Sequence, residues 1–523
     1  MAIARMLRFR HPDAITSAAS LLALAALIPL AVPRPLETLV SSWQPLSVFG
    51  TPASLRVDRL DWLIGLIAIL ACASTSLTGL AYPGQRRFAP RALALGMTAA
   101  LVAAAFAANL LTLALAWGLF DALFAIGVLA RGGEAGAGRR AAFAVGFNGA
   151  ATVCLWIAAL LVSQADRSLY WHLTDLPEMA RALLAVAATL RLGLYPLHQW
   201  LPTAQDDTPG RLALLYILPP LAGLHVLIRL AGLNALPQGS ALAWLAALSM
   251  LFGGGLAWLR GRSRDALPYI SLSGVGAIVL SGLSGGLTAT SAAVIANGAA
   301  SWALAMMALN VGRGFDRHKP WWSIAYALPF ATLVGVPASV GFAVRTNLMA
   351  GVTSSADSLL ILLSLIGETL TFSALIRMAT APAKSEAPSG WPAILTYAAA
   401  VGLVALPPFL LPAFGRSLIP ELAPPSFEVV LPSLGVLGGV AIALPIALAI
   451  ALEWHTRDRS VAPRFDPTGL ISLDWLYSLT FRVVNGAARG LRGLGALIEG
   501  EGAMLWALLI LITAYVVFSG AIQ

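Results

Sequence analysis

Apolar runs of about twenty residues alternate with short polar loops along almost the whole chain. A membrane span needs about 20 apolar residues. Runs of that kind cover 15–32, 62–81, 92–108, 110–130, 141–163, 177–195, 212–230, 241–259, 266–283 and 288–311. They continue at 322–349, 358–376, 394–414, 431–452 and 503–518. The pattern predicts an all-α polytopic membrane protein of about 14–15 transmembrane helices.

The positive charges test this count. Every second loop is rich in arginine: Arg86, Arg87 and Arg91; Arg131, Arg139 and Arg140; Arg260, Arg262 and Arg264; Arg313, Arg317 and Lys319. Arg377 and Lys384 come next, then Arg457, Arg459, Arg464, Arg482, Arg489 and Arg492. The intervening loops hold fewer: Arg34, Arg56, Arg59, Arg167, Arg181 and Arg416. Positive charge beside spans marks the cytoplasmic side. The N-terminus is therefore expected in the cytoplasm, and the protein in a bacterial-type cytoplasmic (inner) membrane. The first run is longer than a signal-peptide core and reads as a retained helix.

Composition narrows the function. The chain is 59% hydrophobic and 11% charged, against about 25% charged in soluble domains. Its net charge of +9 lies in loops between spans, so it sets orientation and does not point to nucleic acid. Cys72 and Cys154 fall inside apolar runs, without disulfide or ligand spacing. The six histidines form no metal-ligand pattern. No nucleotide, haem or metal motif and no nucleophile triad is present. Neither a cofactor nor a catalytic centre of the chain's own is expected. Gly253-Gly254-Gly255 sits inside a span and fits close helix packing better than phosphate binding.

The stretch 453–501 is the longest hydrophilic one. Leu476, Leu479, Val483, Leu491, Leu494 and Ile498 recur there at helical spacing, with Arg482, Arg489 and Arg492 on another stripe. This predicts an amphipathic helix lying along the cytoplasmic interface.

Chemistry concentrates at Arg191-Leu192-Gly193-Leu194-Tyr195-Pro196-Leu197-His198-Gln199-Trp200-Leu201-Pro202. A cation, two prolines and a histidine stand at the edge of an apolar run. A charge at membrane depth costs several kcal/mol unless paired or hydrated. Proline there frees backbone groups that only protein or water can satisfy.

This segment resembles the antiporter-like subunits of respiratory complex I, membrane-bound hydrogenases and multi-subunit sodium/proton antiporters. Pro196, Leu197, His198, Trp200, Leu201, Pro202 and Ala204 fit the family's P-L-H-x-W-L-P-D-A pattern. Thr208, Pro209, Ala222, Gly223 and Arg229 fit the family's next segment, which opens on T-P. Asn109-Leu110-Leu111 through Trp117, Leu267 to Gly276, and Gly335-Val336-Pro337 through Gly341-Phe342 and Arg345 extend the likeness over 109–349.

The resemblance implies two inverted five-helix repeats, each with a discontinuous helix. The breaks are expected at Pro196, Pro202 and Pro209 and at Pro337. The domains are then N-terminal helices 1–108, repeats 109–231 and 241–378, C-terminal helices 392–453, a cytoplasmic loop 454–502 and a last helix 503–523. The family works through buried lysines, a glutamate and histidines. Here its lysines become Arg191 and Arg345, and its glutamate becomes Gly118. Its histidines become Leu215 and Gly298, and a further lysine becomes Trp302. Arginine does not lose its proton as a buried lysine does, so it cannot carry one.

Asp121, three residues past Gly118, can supply the acid for Arg191. Glu368 lies mid-span, where a carboxylate is a functional candidate and Arg345 its natural partner. His198 and His225 complete the candidate ion pathway, each with a local hydrogen-bonding role as the alternative. Arg229 is expected to snorkel to the interface, and Asp206 and Asp207 to form a solvated turn.

Three functions fit these residues. The first is an antiporter-like membrane subunit of a proton-translocating, redox-linked complex of the NADH-quinone oxidoreductase or hydrogenase type, partnered by other membrane subunits and the lipid bilayer. The second is a degenerate structural subunit of such a complex. The third is an ion-gradient-coupled membrane partner of a soluble enzyme in uptake. The two buried arginines and two carboxylates favour the first, because an inert scaffold has little reason to tolerate their cost.

Overall fold

The computed structural model describes residues 12–31, 36–41, 51–82, 89–129, 137–165, 167–172, 175–201, 211–236, 240–260, 264–284, 290–312, 324–337, 339–354, 357–380, 390–418 and 427–456, with scattered positions from 473 to 512. The chain divides into two compact units, Met1–Arg464 and Phe465–Gln523.

The first unit is built from helices. They are α1 (Pro12–Leu27), α2 (Arg59–Ala81), α3 (Ala89–Ala105), α4 (Leu110–Leu129), α5 (Ala137–Gln164), α6 (Glu178–Leu192), α7 (Arg211–Gly232) and α8 (Ser240–Arg260). Then come α9 (Leu267–Leu283), α10 (Ser291–Val311), α11 (Ile324–Val334), α12 (Gly341–Ser354), α13 (Ser358–Thr380), α14 (Trp391–Ala405), α15 (Pro407–Leu418) and α16 (Phe427–Thr456). Among the described residues nine helices are long and apolar enough to cross a membrane. α10 is buried along nearly its whole length and forms the centre, against α7, α9, α11, α12 and α2.

Two groups of helices have matching contacts. In one, α3 packs on α4 and on α7, with α5 and α6 between them in chain order. In the other, α8 packs on α9 and on α13, with α10, α11 and α12 between. The expected single span at 322–349 is split into α11 and α12 around Pro337, as the proline requires. The run at 394–414 differs from expectation. It breaks at Leu406, before Pro407 and Pro408, whose missing amide hydrogens interrupt the helix ladder.

One element was not expected. A small antiparallel hairpin, β1 (Leu36–Ser41) with β2 (Ala53–Val57), pairs Leu36 with Val57 and Glu37 with Arg56. Windows tuned to about twenty apolar residues pass over strands of this length. The hairpin is anchored by Asn109, whose carbonyl oxygen caps α4 through the Thr112 amide at 2.8 Å. The Asn109 amide group donates to the Pro52 carbonyl and the Ser54 hydroxyl. The motif asparagine thus fastens strand to helix.

At the other end of α13, Arg377 donates to the Glu453 carboxylate from Nε at 3.1 Å and Nη2 at 2.8 Å. Ser373 and Trp258 also donate to Glu453, which holds α16 against α8 and α13.

In the second unit, Trp475, Leu476, Ser478, Leu479, Arg482, Val483, Gly486 and Arg489 are helical. Trp475, Leu476, Leu479 and Val483 form an exposed apolar row at helical spacing. Leu491, Arg492, Leu494 and Ile498 of the expected amphipathic helix lie outside the described residues.

The glycine run in α8 serves packing. A Cβ on Gly253 would stand 2.7 Å from the Ser273 amide of α9, and one on Gly254 would run into the Gly367 carbonyl of α13. A Cβ on Gly367 would reach the Met250 backbone at 2.5 Å. Gly367→Ala is therefore expected to force α8 and α13 apart and to cost about 1–3 kcal/mol. Gly439→Ala, whose Cβ meets nothing within 4 Å, is the control, since both gain the same helix propensity. Thermal unfolding in detergent micelles checks this; equal midpoints for the two variants would refute the close crossing.

Candidate functional site

Glycine and proline end α6 together. Gly193 takes a left-handed conformation (φ 63°), and a Cβ there would meet the Trp200 ring at 2.9 Å. A cis Tyr195–Pro196 bond and one 3-10 turn, Leu197–Trp200, come next. Pro202, Pro209, Asp206 and Asp207 lie outside the described residues.

Arg191 occupies the last turn of α6, where free carbonyls favour a cation. It is fully buried. Its Nη2 donates to Asp121 Oδ1 at 2.7 Å, to Oδ2 at 2.9 Å and to the Thr152 hydroxyl at 3.1 Å. Thr152 donates to Asp121 Oδ2 at 2.5 Å, closing a triangle from α4, α5 and α6. The guanidinium lies 3.9 Å from the centre of the Trp117 ring. Arg191 Nε and Nη1 are buried without hydrogen-bond partners. Gly118, where the resemblance puts a glutamate, is exposed with nothing near its Cβ position. Asp121 is the acid that reaches inward.

The second break repeats the device. Gly335 has φ 76°, α11 stops at Val334, Pro337 comes two residues later, and α12 begins at Gly341. Arg345 donates to the Val334 carbonyl left free at the end of α11 and to the Ile442 carbonyl of α16 at 2.5 Å. Glu368 Oε2 stands 3.7 Å from Arg345 Nη2, too far for a hydrogen bond, and is buried without a partner. This pair is looser than the first.

Between the breaks, Tyr195 stacks on His198 at 5.2 Å and on Phe252 at 4.1 Å, and its amide donates to Ser249 Oγ at 2.8 Å. His198 is buried beside this stack. Where the resemblance expects titratable groups, apolar ones fill the space. Ile278 occupies the position a side chain at Gly298 would need, Trp302 lies over Gly274, and Leu215 is buried against Gly127. Asn297 of α10 is buried with both amide atoms unpartnered.

A third charged unit differs from expectation. Arg229 does not snorkel. Its Nη1 donates to Asp58 Oδ2 at 2.6 Å and its Nη2 to Asp61 Oδ2. His225 Nε2 lies 3.0 Å from Asp61 Oδ1, so its partner is across on α2, not local. Asp58 caps α2, accepting from the Leu60 and Asp61 amides. Burial raises the Asp58 carboxyl, but the Arg229 charge and these hydrogen bonds outweigh it and hold it below the ordinary carboxylate range. Asp58 and Asp61 were readable only as a helix start; nothing in one sequence aligns them with α7.

No group of three or more histidine, cysteine, aspartate or glutamate residues among the described residues could hold a metal ion.

The family profile described as NADH:quinone oxidoreductase/Mrp antiporter, TM, matches residues 107–371, a stretch that carries both breaks and both arginine pairs. NADH-quinone oxidoreductase subunit N of Thioalkalivibrio sulfidiphilus is 28% identical over 194 residues, covering 33% of this chain and 40% of that protein. Subunit N of Herminiimonas arsenicoxydans is 28% identical over 228 residues, covering 36% and 46%. The chain thus spans less than half the length of these curated relatives. Among solved structures, the Mrp complex of Dietzia sp. DQ12-45-1b aligns with TM-score 0.74 at 18% identity, over 100% of this chain and 61% of that one. An archaeal membrane-bound sulfane sulfur reductase aligns with TM-score 0.68 at 20% identity, over 99% and 98%. These structures share its fold. The matched profile spans half of the chain, and the protein belongs to the NADH:quinone oxidoreductase/Mrp antiporter transmembrane family.

Proposed function

We propose that the protein is an antiporter-like subunit of a proton-translocating, redox-linked complex in a bacterial cytoplasmic membrane, with its N-terminus in the cytoplasm and other membrane subunits as partners. The observation that carries this is the repetition of one costly device: a helix interrupted at glycine and proline, with a buried arginine beside a carboxylate. A single such site could be a structural accident. Two, in helix groups with matching contacts, argue for a shared task.

We read these groups as the two repeats. The packing of α3 on α4 and α7, like that of α8 on α9 and α13, brings α3 into the first repeat. The path runs by Asp121–Arg191, His198 and Arg345–Glu368, with His225 at one flank. The arginines hold their charge, and the carboxylates beside them are the groups able to exchange protons. The unpartnered atoms of Arg191, Asn297 and Glu368 are polar groups that a hydrated path would satisfy. The helix at 475–489 would rest its apolar row on the interface or on a neighbouring subunit.

The structural alternative draws on Ile278, Trp302 and Leu215, which close part of the axis with apolar groups. Transport separates the two. Asp121→Asn and Glu368→Gln in the intact complex are each expected to lower proton translocation in sealed vesicles by at least about tenfold. Unchanged translocation in both variants would leave the structural reading.

Stability gives a second prediction. Asp121→Ala leaves Arg191 buried and uncompensated, at a cost of about 3–5 kcal/mol. Asp121→Ala with Arg191→Met removes the stranded charge and is expected to recover most of that loss. Unfolding midpoints of both variants in detergent test this, and a double variant no better than the single would contradict it.

A further inference from the structure

Asp58, Asp61, His225 and Arg229 form a buried unit apart from both helix breaks. It bears two carboxylates and one guanidinium, so it is one positive charge short. Asp61 and His225 are sealed, with side chains 0% and 1% exposed, whereas the Asp58 side chain is 32% exposed. An uncompensated buried charge is strongly destabilising. A proton or a metal cation could supply the balance.

The geometry favours the proton. Every carboxylate oxygen is already engaged. Asp58 Oδ1 takes two α2 amides, Asp58 Oδ2 and Asp61 Oδ2 take Arg229, and Asp61 Oδ1 faces His225 Nε2. No set of free oxygens converges for a metal ion. His225 Nδ1, by contrast, is buried with no partner. The other charged or titratable groups near the unit are Arg59, part-buried in the first turn of α2 and engaged elsewhere, the half-buried Arg56 and exposed Glu37 of the hairpin, and the exposed His172 of the α5–α6 connection. On the neighbouring helices Arg91 pairs with Asp13 and Arg191 with Asp121, Glu178 and Arg181 at the start of α6 are exposed to solvent, and α10 carries no charged residue.

We propose that this unit is a proton-exchange port on the hairpin side of the protein, with Asp58 as its solvent-facing acceptor and the Asp61–His225 pair as its inner station. A proton from water reaches Asp58 and passes to Asp61. Asp61 Oδ1–H then transfers it to His225 Nε2, which regenerates the Asp61 carboxylate, and a water molecule on the inner side takes the Nδ1 proton of the imidazolium, leaving a neutral ring protonated at Nε2. Arg229 positions both carboxylates and stays charged throughout. Farther along α7, Pro219 and Pro220 lack amide hydrogens and interrupt the helix ladder on the inner side of His225.

The port rests on the transport reading for its use but not for its proton binding, so two measurements keep them apart. In the full chain in lipid nanodiscs, nitrogen NMR of labelled histidine follows the His225 ring across pH, with His225→Gln assigning the signal. One titration is expected. Asp58→Asn keeps the helix cap but removes the charge deficit, and should lower the midpoint by at least about one pH unit. A His225 signal that never changes, or a midpoint indifferent to Asp58→Asn, overturns the port.

In the intact complex in vesicles, His225→Gln is expected to reduce proton translocation at least about tenfold. A titrating His225 with undiminished translocation in this variant also overturns the port. Loss in His225→Gln beside full activity in Asp121→Asn and Glu368→Gln would instead support the port and overturn the path through the arginine pairs.

Discussion

The desolvated guanidinium is the constraint on which the rest of the first unit depends. Arg191 is fully buried and Arg345 nearly so, in a chain whose spans are mostly apolar. Neither can shed its proton to escape the cost. Each must be met by acceptors, and the fold supplies them by stopping a helix. The end of a helix leaves carbonyls without amide partners. Arg345 takes one directly, from Val334, and Arg191 sits in the last turn of α6, where the helix dipole is negative. Glycine in a left-handed conformation at 193 and 335 makes both stops possible, and the prolines prevent the helix from resuming at once.

The same constraint explains what could be read from sequence. Hydropathy gave most of the helices, because a span must be long and apolar. The breaks were readable because proline and glycine punctuate backbone whatever surrounds them. Both arginine–carboxylate pairs were readable because a charge in an apolar run needs a partner, and few were available. The hairpin was not, since its short strands carry no signal at the scale of a span. The Asp58–Asp61–Arg229–His225 unit was half visible. His225 and Arg229 stood out on α7, but their partners lie more than 160 residues away, and ordinary capping chemistry accounts for Asp58 on its own.

Replacing lysine by arginine also changes how the two pairs differ. A lysine partner can be neutralised, so its pair can dissolve by losing a proton. With arginine the positive charge is permanent, and only the carboxylate can change state. Asp121 is engaged on both oxygens, by Arg191 and Thr152, with the Trp117 ring behind the guanidinium. Protonating it would sacrifice charge-assisted hydrogen bonds, which are the strong ones. Glu368 makes no hydrogen bond through Oε2, because Arg345 turns Nη1 and Nη2 to backbone carbonyls and its Nε makes no hydrogen bond either. The second pair therefore loses least when its carboxylate takes up a proton, since its arginine stays solvated by the protein whether or not the glutamate is charged. Of the two pairs on the path, the one at Pro337 exchanges a proton at the smaller cost in hydrogen bonds, and the one at Pro196 also ties α4, α5 and α6 together.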